Sequence, residues 1–134
     1  KILKKESYKH GELDGEAITY TLSSLPLEIK TYKNGLLHGP YKLYKQQGLD
    51  TYGEYKNNQK EGKWVENSFN EGGKSEGEYL NGKKNGKWKL GATNIFGKCE
   101  GSFVDNKKDG VWEYWKHDGG KWKSEKWNNG ILLY

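Results

Sequence analysis

Arginine is absent; all 23 basic side chains other than histidine are lysine. The planar guanidinium fork is what reads guanine edges and grips phosphate bidentately, so sequence-specific nucleic-acid binding is not expected. The net charge of +5 leaves only weak, non-specific attraction to anionic surfaces. Cysteine occurs once, as Cys99, which excludes an intramolecular disulfide. Methionine is missing, so Lys1 is not a translation start. A removed export segment is favoured over simple trimming, and an exported location over a cytoplasmic one, with the compartment itself left open. No apolar run is long enough to cross a membrane as a helix. Leu, Ile, Val and Phe together number 24 residues, roughly 18% of the chain and under the level of about 20% at which disorder becomes a concern.

What offsets the scarcity of aliphatics is 6 Trp, 10 Tyr and 3 Phe, and these rings recur in phase. The stretch Tyr79-Leu80-Asn81-Gly82-Lys83-Lys84-Asn85-Gly86-Lys87-Trp88 is rewritten along the chain. It appears as Tyr8-Lys9-His10-Gly11 with Gly15, Tyr32-Lys33-Asn34-Gly35 with Gly39, and Tyr55-Lys56-Asn57-Asn58 with Gly62. It returns as Phe103-Val104-Asp105-Asn106 with Gly110, and half-written as Trp127-Asn128-Asn129-Gly130. The opening rings stand at 8, 32, 55, 79, 103 and 127, and a fixed period of this size is the signature of a repeat architecture. The expectation is one repeat domain over 1–134, of about six units with the last incomplete.

Each unit reads as a β-hairpin. By the period of two, Gly53 and Tyr55 share one strand face while Tyr52 and Glu54 share the other. Pairing Tyr55 with Trp64 sets Lys56 against Lys63 and Asn57 against Gly62. That pairing leaves Asn58 to Glu61 as a four-residue loop on a type I turn. The fourth position of the unit is always Gly or Asn, the residues that most readily take positive φ. The eighth is Gly in every complete unit; it either turns left-handed or makes room for a neighbouring ring. Connecting turns are signalled by Ser23-Ser24-Leu25-Pro26, Gln47-Gly48, Glu71-Gly72-Gly73 and Asp118-Gly119-Gly120, while Gly91 to Gly97 is irregular. The fold class expected is all-β: an elongated antiparallel meander of about ten to twelve strands in a twisted open sheet.

The units resemble MORN repeats, in the bacterial variant found in MORN-type antitoxin-component proteins. The matching residues are Tyr79, Asn81, Gly82, Lys83, Gly86 and Trp88; Tyr55, Asn57, Gly62 and Trp64; and Phe103, Lys107, Gly110 and Trp112. Gly53-Glu54-Tyr55 and Gly77-Glu78-Tyr79 match as well. The first unit departs from the pattern, since Ala17 stands where a ring is due. The resemblance implies a scaffold for protein contact, with lipid contact proposed for some members.

Two sets of residues are candidates for binding. Lys60, Lys63, Lys83, Lys84, Lys87, Lys107 and Lys108 fall on the turn side of successive hairpins and read as a basic ridge or as simple edge protection. Tyr55, Trp64, Tyr79, Trp88, Phe103 and Trp112 form a ladder of rings. Its first reading is core built from cross-strand aromatic pairs, its second a stacking platform for a ligand.

No cofactor, metal or catalytic set is expected. Gly77 to Lys83 mimics a phosphate loop, but Lys84 occupies the position that needs Ser or Thr. Asp105 and Asp109 bracket two lysines rather than a calcium ligand series. His10, His38 and His117 occupy unrelated positions of the repeat. Cys99 reads as a small buried hydrophobe. The leading function is therefore a non-catalytic scaffold for an unidentified protein partner, an antitoxin or immunity-type binder being one form. The alternative is a peripheral module on anionic lipid, and self-association at an exposed strand edge is also expected to be open to the chain.

Overall fold

Two-residue turns organise the chain. The computed structural model describes residues 3–46, 48–67 and 73–134. Gln47, Glu71 and Gly72, placed above in connecting turns, lie outside the described residues. At every third and fourth position of the unit φ is positive, as at Asn81 (52°) and Gly82 (79°) or Asp105 (48°) and Asn106 (69°). Positive φ at both central residues is the requirement of a type I′ turn, whose twist matches that of the flanking strands. Asn, Asp, His and Gly occupy these sites because they enter the left-handed region at least cost.

This corrects the loop inferred from sequence. The strand before the third turn ends at Lys56 and the next begins at Gln59, so the loop is Asn57-Asn58, not Asn58 to Glu61. In the next hairpin Tyr79 pairs with Lys84 and Leu80 with Lys83. Tyr79 is therefore not opposite Trp88, which instead pairs forward with Gly101. The register shifts between Glu76 and Glu78, where Gly86 takes φ of 78° and swells its strand into a bulge. The same shift recurs between Glu100 and Ser102, facing Gly110.

The chain divides into two compact units, 1–62 and 63–134. All regular structure among the described residues is strand. In the first unit β1 (Leu3–Lys5), β4 (Gly15–Tyr20), β5 (Pro26–Lys33), β7 (Gly39–Lys45) and β8 (Gly48–Lys56) form an antiparallel series in that order. The short β6 (Leu36–Leu37) pairs with β5, while β2 (Tyr8–Lys9) and β3 (Glu12–Leu13) make a separate hairpin. The irregular first repeat thus leaves Tyr8 exposed, unlike the later opening rings.

The unit boundary falls within β9 (Gln59–Asn67). Beyond it run β10 (Lys74–Leu80), β11 (Lys83–Leu90), β12 (Lys98–Val104), β13 (Lys107–Trp115), β14 (Lys121–Asn128) and β15 (Ile131–Leu132). They are hydrogen-bonded in sequence order as an open antiparallel meander. The turn at Asp118-Gly119-Gly120 closes by Lys116 N–H to Gly120 O at 2.8 Å. The 91–97 segment is irregular, as expected, and contains no strand.

Turns are also tied to their neighbours. Asn106 N–H donates to Lys84 O at 3.0 Å, and Lys84 N–H donates back to Asn106 Oδ1 at 2.8 Å. Asn85 Nδ2 donates to Asp105 Oδ1 at 3.1 Å, and Asn129 N–H to Asp109 Oδ1 at 3.1 Å. In the first unit Asn34 N–H reaches Asp14 Oδ2 at 3.3 Å and Asn57 N–H reaches His38 Nδ1 at 3.4 Å. The seventh position therefore carries side chains that hold the next turn.

Candidate functional site

Strand alternation gives the second unit two unlike faces. One face is the ring ladder. Trp64, Trp88 and Trp112 are 1% exposed or less, and Tyr79 and Phe103 are also buried. Their rings meet edge to face: Trp64–Tyr79 at 6.1 Å, Tyr79–Trp88 at 5.2 Å, Trp88–Phe103 at 6.2 Å and Phe103–Trp112 at 5.0 Å. Such contacts contribute about 0.5–1.5 kcal/mol each beyond area burial. The indole N–H of Trp88 donates to Glu78 O at 2.9 Å and that of Trp112 to Ser102 O at 3.0 Å. Tyr79 closes the ladder by donating its hydroxyl to Glu66. The ladder is packed core with its polar atoms engaged. In the first unit Tyr55 is half-buried and meets Tyr41 edge to face at 5.6 Å.

The seven candidate lysines do not form one ridge. Lys84 and Lys108 project onto the ring face. Lys84 Nζ lies 4.9 Å from the Trp88 ring centre and 5.2 Å from that of Phe103. Lys108 Nζ lies 4.7 Å from Trp112 and 4.8 Å from Trp127, and donates to the Tyr114 hydroxyl at 2.9 Å. These two are cation–π components of the core. Lys60, in the first unit, is half-buried. Lys63, Lys83, Lys87 and Lys107 are exposed on the opposite, outer face. The two-residue turn is the physical reason for the split: it puts Lys84 opposite Tyr79, and its neighbour Lys83 on the other side of the sheet.

The outer face holds a shallow groove of about 420 Å³, lined by Lys63, Val65, Glu76, Glu78, Lys87 and Lys89 among others. Lys89 and Glu76 approach to 4.0 Å with both side chains mostly exposed, a pairing of little energetic weight. Nearer the turns the same face carries Leu80, 52% exposed, and Val104, 46% exposed. Sequence reasoning passed over these two residues. A signal was present: the second position of the unit is Lys9, Lys33 and Lys56 in the first three repeats and becomes Leu80 and Val104 in the next two.

Cys99 is fully buried, and burial pushes its thiol up to about 11, against a smaller lowering by Lys108. At neutral pH it is a protonated thiol without solvent access, which is the inert setting for cysteine. Tyr114, beside it, is likewise raised by burial and by its hydrogen bond to Glu125. His117 Nε2 donates to Thr93 O at 2.7 Å, pinning the 91–97 segment to the next turn. Among the described residues no three His, Cys, Asp or Glu side chains converge as a metal site. The residues the arrangement offers for contact are those of the outer face.

No protein-family model matches the chain, and no curated protein is significantly similar to it.

Proposed function

We infer that the chain is a non-catalytic repeat scaffold that binds another protein, as its resemblance to the MORN repeats of antitoxin-component proteins implies. An antitoxin or immunity-type binder is one form of that role. The observation carrying this reading is the outer face of the second unit, where exposed aliphatic residues alternate with exposed lysines and glutamates. Mixed apolar and charged surfaces of this kind suit protein recognition, where polar pairing supplies specificity and apolar contact supplies affinity.

The test places a photo-crosslinking residue at Lys87 on the outer face and, separately, at Lys84 on the ring face, in host cells. A discrete protein adduct from position 87 and none from 84 supports the reading. Adducts from neither position overturn it. The second reading, a peripheral module on anionic lipid, is favoured by the four exposed lysines on one face. Salt-sensitive flotation with phosphatidylserine vesicles, with no protein adduct at 87, selects that reading instead.

A further inference from the structure

One edge of the second unit's sheet is apolar without interruption. β15 and the two residues after it read Ile131-Leu132-Leu133-Tyr134, and all four side chains are exposed. Leu133 and Tyr134 continue the pairing: Leu133 N–H donates to Lys126 O at 2.8 Å, and Lys126 N–H to Tyr134 O at 2.7 Å. Among the described residues no strand lies on the other side of β15. Strand edges that face water are usually guarded by lysine, proline or a charge, and an unguarded apolar edge is a template for pairing.

The earlier units show what this edge is not built to receive. Its counterparts in the two preceding units are Lys83-Lys84-Asn85-Gly86 and Lys107-Lys108-Asp109-Gly110. The seventh position is polar in all five earlier units, and Asp14, His38 and Asp109 accept the N–H of the third residue in the next turn. The eighth is a glycine with positive φ. The sixth unit places Leu133 and Tyr134 at these two sites. It has neither the acceptor nor the glycine that seat another hairpin of the same kind, so the edge is shaped for a different neighbour.

The backbone of the edge is laid out for one pairing. At the sixth position, Leu37 and Lys84 each point N–H and C=O away from their own hairpin and exchange both bonds with a single asparagine of the next turn, Asn58 or Asn106. Leu132 holds the same position, since it pairs with Trp127 as Lys84 pairs with Tyr79. Its N–H and C=O thus face outward together. A residue offering both groups on one side can exchange both bonds with an identical residue on an antiparallel strand. Centred on Leu132, the pair is self-complementary under a two-fold axis and sets Ile131 of each copy opposite Leu133 of the other. No charge lies within 131–134, so like charges do not meet across it. By contrast β1, an edge of the first unit's series, carries exposed Lys4 and Lys5, the residue type that keeps an edge unpaired.

We propose that β15 pairs antiparallel with β15 of a second copy of this chain, Leu132 against Leu132, joining two sheets in a two-fold dimer. With four residues a side, against roughly 20–30 in a standard interface, the dimer is reversible and forms as concentration rises. Its axis stands perpendicular to the sheet, so the outer face around Lys87 stays open in both copies. An adduct to another protein at position 87 therefore neither requires nor excludes the pairing.

Sedimentation equilibrium of the full chain from about 5 to about 500 μM tests this, a span suited to weak reversible association. A single monomer–dimer equilibrium is expected. Ile131→Lys with Leu133→Lys sets lysine against lysine at both places across the pair and should weaken the dimer about tenfold or more. Ile131→Lys with Leu133→Glu sets opposite charges there in the same register, so it should still dimerise, with an affinity that falls as salt rises. Both variants alter exposed side chains, and urea midpoints in dilute solution check that each is folded. In the unmodified chain, hydrogen exchange at the Leu132 amide should slow between the dilute and the concentrated sample. A monomer throughout overturns the proposal. So do species that grow past the dimer, equal loss of association in both variants, or a dimer whose Leu132 amide exchanges as fast as the monomer's.

Discussion

The Trp88 indole lies flat on Gly77. A Cβ built at Gly77 would stand 2.2 Å from ring atom Cδ2, and the indole N–H completes the contact at the neighbouring Glu78 carbonyl. Gly101 and Trp112 repeat the arrangement at the same 2.2 Å. Each of these two tryptophans is thus seated on a glycine of the preceding strand, so that here the core is built by rings on bare backbone rather than by aliphatic interdigitation.

Gly77→Ala is therefore expected to lower stability by about 1–3 kcal/mol, the range for overpacking a filled site. The midpoint of urea unfolding measures it. A midpoint equal to wild type would mean that the indole is free to tilt off the glycine.

Gly86→Ala tests a different constraint. The space beside Gly86 is open, with nothing within 4 Å of an added Cβ, but φ is 78°. The cost is that of a left-handed alanine, about 1–2 kcal/mol. Gly86→Asn should recover most of it, since asparagine tolerates this region. If asparagine and valine there prove equally harmful, sterics rather than backbone conformation governs the site.

Lys84→Ala is expected to cost about 0.5–2 kcal/mol through loss of its placement over Trp88 and Phe103. Lys83→Ala, one residue away on the outer face, should stay within about 0.5 kcal/mol. Identical unfolding curves for the two variants would contradict the division of the lysines between faces. Trp88→Ala should exceed both, at about 3–5 kcal/mol.

Alkaline pH should weaken the native state through Cys99. Its thiol ionises at about 11 when folded against an ordinary 9.0, because burial disfavours the thiolate. The folded state then holds its proton where the unfolded chain has released it. The stabilising difference is whole below pH 9 and is lost as pH rises toward 11. Tyr41 and Tyr114 are shifted the same way, so the comparison must be with Cys99→Ala. The gap in stability between the two proteins should narrow above pH 9. A gap constant from pH 8 to 11 would show that the thiol ionises normally. In the native protein at pH 8, Cys99 should also resist a disulfide reagent until denaturant is added.

Much of the fold was legible in the residues. The 24-residue period, Gly or Asn at the fourth position and the recurring rings are local features, so they specify hairpins and a meander without reference to distant contacts. The Tyr79–Trp88 contact was legible as well, although its geometry was not. Sequence reasoning set the two opposite each other and so required a four-residue loop. The actual turn is two residues long, and a bulge at Gly86 swings Trp88 back toward Tyr79. A bulge adds residues to one strand only, and its presence depends on which backbone conformation the partner strand will accept.

That one register difference decides the candidate site. Composition and spacing by themselves determined a repeat of β-hairpins with ring-based packing, lysine-rich and without the arginine that grips nucleic acid. Only the tertiary structure decided that Lys84 and Lys108 belong to the core while Lys83 and Lys107 face solvent. Adjacent side chains of a strand point to opposite faces, so a shift in pairing changes which lysine meets a tryptophan and which is left beside Leu80 or Val104.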